Sequence, residues 1–178
     1  MNIGMNAILR VPQGEHNAWI FSLMYSPMGE ISFPIPGVAF NWNPSEQFHA
    51  NIGIPFQVTY RPTDHWLFEA TYMPIHTIHT KAMYRFSDRL GVFTAYDWSS
   101  EVYSLADRVD DQERFFMYDQ RVTLGLEASL ARFATATVTG GYAFDRYSYE
   151  GTQWNSTQLN RVDIGNGPFA AIQLNLRY

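Results

Sequence analysis

From Phe48 to Arg61 the chain alternates without a break: Phe48, Ala50, Ile52, Ile54, Phe56, Val58 and Tyr60 are apolar, and His49, Asn51, Gly53, Pro55, Gln57, Thr59 and Arg61 lie between them. That spacing fits a strand half buried on one face, and no helix reproduces it. Tyr118, Val122, Leu124, Leu126, Ala128 and Leu130 alternate in the same way with Asp119, Arg121, Thr123, Gly125, Glu127 and Ser129, Gln120 being the one break. Weaker alternation elsewhere predicts strands over 2–11, 17–26, 36–43, 47–61, 65–74, 77–86, 89–104, 116–130, 133–149 and 169–178, ten in all, and no helix. Asn43-Pro44-Ser45, Arg61-Pro62-Thr63-Asp64 and Ser87-Asp88-Arg89 supply turn chemistry between the runs. The expected fold is all-β, an up-and-down antiparallel meander in one domain over 1–178, which the connection lengths, ring positions and charge balance that follow turn into an antiparallel up-and-down transmembrane β-barrel of about ten strands (8–12).

Connection lengths carry a second pattern. The links at 62–64, 87–88 and 131–132 are short, while 105–115 and 150–168 are long and polar. Outer-membrane barrels sort their turns and loops in this way. The N-terminal half fits less well, because 75–76 is tight and 27–35 is long for a turn.

Alternation alone does not say which face is wet. A soluble barrel buries its apolar face, whereas a membrane barrel turns it to lipid. The apolar positions carry many rings near strand ends, among them Trp19, Tyr25, Phe40, Trp42, Tyr60, Trp66, Tyr72, Tyr84, Tyr96, Trp98, Tyr118 and Tyr142. Those rings would overfill a small interior but would form interfacial girdles against lipid. The polar positions carry Arg10, Arg61, Lys81, Arg85, Arg121 and Arg177 against Glu69, Asp97, Glu101, Asp119, Glu127 and Asp145, six of each sign. A poorly solvated lumen favours such pairing. Lys81 is the only lysine among 12 basic residues, and arginine suits planar pairing with carboxylates.

Composition narrows the classes further. A net charge of −5 leaves no basic face for nucleic acid, and the absence of cysteine excludes disulfides and thiolate metal sites. No apolar run approaches the ~20 residues of a spanning helix. Residues 1–20 have no basic start followed by an apolar stretch. Ile3, Met5, Ala7, Leu9 and Val11 already alternate, so a signal peptide and further strands upstream are expected.

The C-terminal run Ala170-Ala171-Ile172-Gln173-Leu174-Asn175-Leu176-Arg177-Tyr178 ends on an aromatic residue with apolar residues at alternate positions before it. It resembles the terminal recognition strand of bacterial outer-membrane β-barrels. Pro36-Gly37-Val38-Ala39-Phe40, Gly53-Ile54-Pro55 with Tyr60-Arg61-Pro62, and Tyr84-Arg85-Phe86-Ser87-Asp88-Arg89-Leu90 are similar to a group of outer-membrane barrels of unassigned function. The resemblance implies a place in the bacterial outer membrane, contact with its lipid and lipopolysaccharide, and delivery by the barrel-assembly machinery through Leu174, Leu176 and Tyr178. It brings no catalytic residues.

Catalytic patterns are scarce. His76 and His79 have an odd separation, which sends strand side chains to opposite faces, so no metal site is expected. Ser99 and Ser100 beside Asp97 and Glu101, with a nearby histidine, give only weak grounds for a lipid-modifying enzyme. Asp107, Asp110, Asp111 and Glu113, interrupted by Arg108 and Arg114, read as a solvated loop, and Asn155-Ser156-Thr157 carries no weight as a sequon. The expected function is non-enzymatic and cofactor-free: a small barrel, structural, adhesive or weakly permeable, whose lumen is plugged by Glu69, Lys81, Arg85, Asp97, Asp119, Arg121, Glu127 and Asp145. Arg121 is expected at the centre, between Asp97 and Asp145. The alternative is a soluble lipocalin-like barrel with an apolar ligand.

Overall fold

Gly53, Ile54 and Pro55 break the longest alternating run into a hairpin. In the computed structural model, which describes residues 4–26, 33–74, 77–104, 113–153 and 157–177, the run 47–61 becomes two strands. The strand segments are β1 (Met5–Gln13), β2 (Asn17–Tyr25), β3 (Ile35–Ser45), β4 (Phe48–Gly53), β5 (Phe56–Thr63), β6 (Trp66–Met73), β7 (Thr77–Ser87), β8 (Leu90–Ser104), β9 (Arg114–Ala131), β10 (Ala134–Gly151), β11 (Leu159–Ile164) and β12 (Gly167–Leu176). The expected count of ten is thus corrected to twelve, through the split at Gly53 and through β11, which lies inside the link 150–168.

Gly53 shows why the run breaks there. Its φ is +149°, and a Cβ on it would stand 2.1 Å from the carbonyl oxygen of Val38 on β3. Only glycine lets the backbone turn so close to its neighbour. The peptide bond between Ile54 and Pro55 is cis, and Ile54 donates its N–H to the same Val38 carbonyl at 3.1 Å.

All neighbours are antiparallel, in the order β1 to β10, with β11 and β12 both paired to β10. Arg146 opposes Ile164 and Ala143 opposes Gly167, so β11 and β12 are two stretches of one line of chain. The sheet therefore has eleven rows. β1 and β12 are not hydrogen-bonded to each other, and the sheet is open.

The split also explains the loops. One end carries only the short links 14–16, 46–47, 64–65, 88–89 and 132–133. The other carries 26–34, 105–113 and 152–158, together with the tight links 54–55 and 74–76. Counting β4 and β5 as one strand shifts the phase of the alternation, which is why 27–35 looked out of place. All the long links share one end.

The two faces differ sharply. On one face Phe21, Val38, Ile52, Phe68, Leu126 and Val138 all lie exposed, Leu124 is 64% exposed and Ile172 is 82% exposed. On the other face Met83 (1% exposed), Phe93 and Ala95 form an apolar cluster with Leu67, Thr123 is buried opposite Ala95, and Asp119 is buried further along the same face. Shelter is not confined to that face, since Phe116, Tyr149 and Ser100 are buried on the first face toward the long-link end; the face of Met83, Thr123 and Asp119 is termed inward and that of Leu124 and Ile172 outward. Exposed aliphatic side chains are concentrated on the outward face, among them Val122, Leu124, Leu126, Val138, Ile172 and Leu174.

Rings edge the outward face. Trp42 meets Phe48 at 5.3 Å, Phe48 meets Tyr60 at 5.9 Å, and Tyr60 stacks on Phe68 at 6.3 Å. Phe68 stacks on Trp66, which meets Tyr84 at 5.0 Å. This chain of rings runs from β3 to β7 at the short-link end. At the opposite end, Phe116, Tyr118 and Tyr149 form a buried cluster with Trp98, Val102 and Tyr147. There Tyr118 lies 4.8 Å from Tyr147, Phe116 lies 4.9 Å from Tyr149, and Arg161 caps Tyr147 at 4.0 Å.

Candidate functional site

The inward face of β6 to β10 gathers the charges, and strand register decides which of them meet. Residues opposite one another on neighbouring strands stand ~5 Å apart on one face. Glu69 opposes Lys81, Asp97 opposes both His79 and Arg121, and Glu127 opposes Gly91, which in turn opposes Arg85. Seven of the eight expected lumen residues therefore lie on one inward surface: Glu69, Lys81, Arg85, Asp97, Asp119, Arg121 and Glu127.

The eighth, Asp145, does not. Pairing of β10 with β9 shifts between Phe144 and Tyr147, and Asp145 takes a positive φ of 47° in that bulge. The extra residue re-aims the strand. Asp145 receives a hydrogen bond from Gln120 at 3.3 Å, and Gln120 in turn accepts one from the Tyr96 hydroxyl at 2.9 Å. Gln120 and Tyr96 are on the outward face.

The ion pairing centres on Asp119. Its side chain is 5% exposed and is held by the Nε and Nη2 of Arg121, the Nε at 2.7 Å. The Nε of Arg146 stands 3.4 Å from its other oxygen. Asp97, although opposite Arg121, pairs instead with the Nδ1 of His79 at 2.5 Å. Arg121 thus sits between Asp97 and the bulge in register, while its bonds go to Asp119 two residues back on β9. The sequence could not show this choice, because two residues apart on one strand and directly opposite on the next are both within an arginine's reach.

Lys81 and the same Arg121 also lie over rings. Lys81 stands 4.5 Å above the ring of Phe93, and Arg121 stands 5.9 Å above that of Phe169. Each ring in turn lies over a glycine opposite it, in space that a Cβ would fill. A Cβ on Gly125 would stand 2.3 Å from Phe93, and one on Gly141 would stand 2.6 Å from Phe169. Cation, ring and glycine therefore stack in layers that fill inward space. His79, Arg146, Phe93 and Phe169 were missed as members of this site. The cue for the rings was a glycine opposite each, which needs the register to be seen.

Arg85 and Glu127 line one small inward cavity with Ser87, Asp88 and Ser129. Ser99 is inward, opposite Thr77 and Asp119, whereas Ser100 is buried on the outward face opposite Tyr118. The two serines thus face opposite ways: Ser99 shares the inward face with Asp97 and His79, one diagonal step from His79 across β7 and β8, while the ring nitrogen of His79 is engaged by Asp97. His76, Asp107, Arg108, Asp110, Asp111, Asn155, Ser156 and Tyr178 lie outside the described residues. Among the described residues no group of three or more His, Cys, Asp or Glu side chains is placed to hold a metal ion. Leu174 and Leu176 are exposed on the outward face of β12, opposite Ala136 and Ala134.

Comparisons with protein families, with curated proteins and with solved structures find no match for this chain.

Proposed function

We propose that the protein is a β-barrel of the bacterial outer membrane whose outward face meets lipid and whose lumen is filled by its own side chains. The observation that carries this reading is the inversion of the faces. Outside the buried ring cluster of Phe116, Tyr118 and Tyr149, aliphatic and aromatic side chains from β2 to β12 are exposed together on one side, while a buried carboxylate, its arginines and ring-on-glycine layers occupy the other. Water penalises an apolar surface of that extent, and soluble monomers rarely show one. Lipid removes the penalty, and the ring chain at the short-link end is suited to the headgroup level. Long links gathered at one end agree with external loops above short periplasmic turns.

The filled interior supports a structural or weakly permeable role over an open pore. The alternating outward residues Leu174 and Leu176 support reading of β12 by the assembly machinery, and the exposed outward face supports contact with lipid and lipopolysaccharide. The test is electrophoretic. Protein extracted in detergent should migrate differently before and after boiling, because a detergent-resistant barrel stays folded until heated. A protein that stays soluble and folded without detergent refutes the reading and favours the soluble ligand-binding barrel.

A further inference from the structure

Arg61 on β5 and Arg85 on β7 stand on either side of β6 at the short-link end. Two strand spacings separate their backbones by ~9.6 Å, a gap that two arginine side chains span together. Both line one cavity of about 300 Å³, with Asp64, His65, Trp66 and Leu67 on its walls. The backbone fixes where the two side chains start. Arg61 donates its N–H to the Gln47 carbonyl at 2.7 Å, and Arg85 donates its own to the His65 carbonyl at 2.8 Å. The Nδ1 of His65 donates back to the Arg85 carbonyl at 2.8 Å, which ties the turn to β7.

The guanidinium groups are what set this corner apart. Elsewhere on the inward face Lys81 lies over Phe93, and Arg121 and Arg146 are held at Asp119. Arg61 and Arg85 have no ion pair and no ring beneath them among the described residues. Among the described lining residues Asp64 is the one carboxylate, so the cavity carries excess positive charge in a chain of net charge −5.

We propose that Arg61 and Arg85 form a binding site for a phosphate ester. Two guanidinium groups arriving from opposite sides suit a tetrahedral anion with oxygens on several sides. A carboxylate, with two oxygens in one plane, is satisfied by a single arginine fork. The cavity also takes the organic part of the ester, for which Trp66 and Leu67 provide an apolar wall. Trp66 belongs as well to the ring chain of the outward face, so a soluble ester and a lipid headgroup present the same chemistry here. The site rests on the cavity and its charges, and not on the membrane reading above.

Titration calorimetry of the full chain, folded in a non-ionic detergent, tests this with glycerol 3-phosphate as the probe. Saturable binding is expected. Arg61→Gln and Arg85→Gln should each weaken it by about tenfold or more, through loss of a charge-assisted contact. Arg89→Gln, on the turn beyond Arg85, should bind as the unmodified protein does. Succinate, a dianion with planar carboxylates, should bind about tenfold more weakly. Absence of saturable binding, or binding indifferent to both arginines, overturns the proposal. An equal loss in Arg89→Gln means diffuse attraction and overturns it too, and equal affinity for succinate overturns the assignment to phosphate. Heat-modifiable migration reports whether each variant is folded. Where a glutamine variant is not, Arg61→Lys and Arg85→Lys keep the charge, lose the fork and should still weaken binding. Phosphatidylglycerol added to the micelles separates the two sources. Displacement of glycerol 3-phosphate assigns the site to a lipid headgroup, and no displacement assigns it to a soluble ester; either upholds the phosphate site. Folding without detergent refutes the membrane reading and leaves this titration to be run in buffer alone, so the two failures are distinct.

Discussion

Leu124→Arg separates lipid from water at one position. Leu124 lies in the middle of β9, 64% exposed on the outward face, with Thr94 and Gly140 opposite it. In water such a site accepts arginine within about 0.5 kcal/mol, because nothing is overpacked and the guanidinium remains solvated. In a bilayer the same arginine lies near mid-depth and costs about 2–4 kcal/mol. That changes the folding equilibrium by about 30- to 700-fold. The control is an inward site. Thr123 is a poor one, since it is buried between Ala95 and Gly141 and any large residue there would be overpacked. Thr137 is better: it is half-buried, faces inward, and has Glu127 and Gln173 on either side. Thr137→Arg gains a carboxylate partner and should cost less than 1 kcal/mol, the scale of a solvated pair. Both variants are refolded into vesicles across a urea series and followed by tryptophan fluorescence. Equal losses, or a neutral Leu124→Arg beside a damaging Thr137→Arg, would refute the assignment of faces.

Three further outcomes follow from named contacts. Arg121→Ala leaves the buried Asp119 with Arg146 alone at 3.4 Å; stability should fall by about 1–3 kcal/mol, and Asp119→Asn in the same chain should restore part of it in urea titrations. Gly53→Ala forces a Cβ against the Val38 carbonyl at 2.1 Å and should cost about 1–3 kcal/mol, read as a lower urea midpoint. Removing the Lys81 and Arg121 cations together strips the layers above Phe93 and Phe169; single-channel conductance in a planar bilayer should rise over that of the unmodified protein, which should itself be small.

Most strands could be read from their period because each buries one face, and a period of two records that directly. The hairpin at Gly53 could not. Ile54 and Pro55 keep the apolar-polar rhythm through the turn, so the signal for a strand continues where the backbone reverses. The same masking hid the loop sorting, since one uncounted strand inverts the phase of every link before it. β11 was hidden for a different reason: Leu159–Ile164 has Asn160, Arg161 and Asp163 among its six residues and reads as loop. Its place is set by the register along β10 rather than by its own pattern. For the charges, the inward face was legible and the partners were not. Alternation places Asp97, Asp119 and Arg121 on one surface, but which carboxylate holds the arginine depends on register and on burial of Asp119. Asp145 left the set because a bulge, invisible in a periodic count, shifts the frame of β10.

The central claim is that alternate residues of each strand face lipid. The direct measurement uses the cysteine-free background: single cysteines at Val122, Thr123, Leu124, Gly125, Leu126 and Glu127 carry a polarity-sensitive fluorophore in vesicles whose acyl chains bear a quencher. Labels at Val122, Leu124 and Leu126 should be blue-shifted and strongly quenched, and labels at Thr123, Gly125 and Glu127 should escape, giving a period of two along β9. Quenching that ignores this alternation, or that is absent from the even positions, would contradict the account.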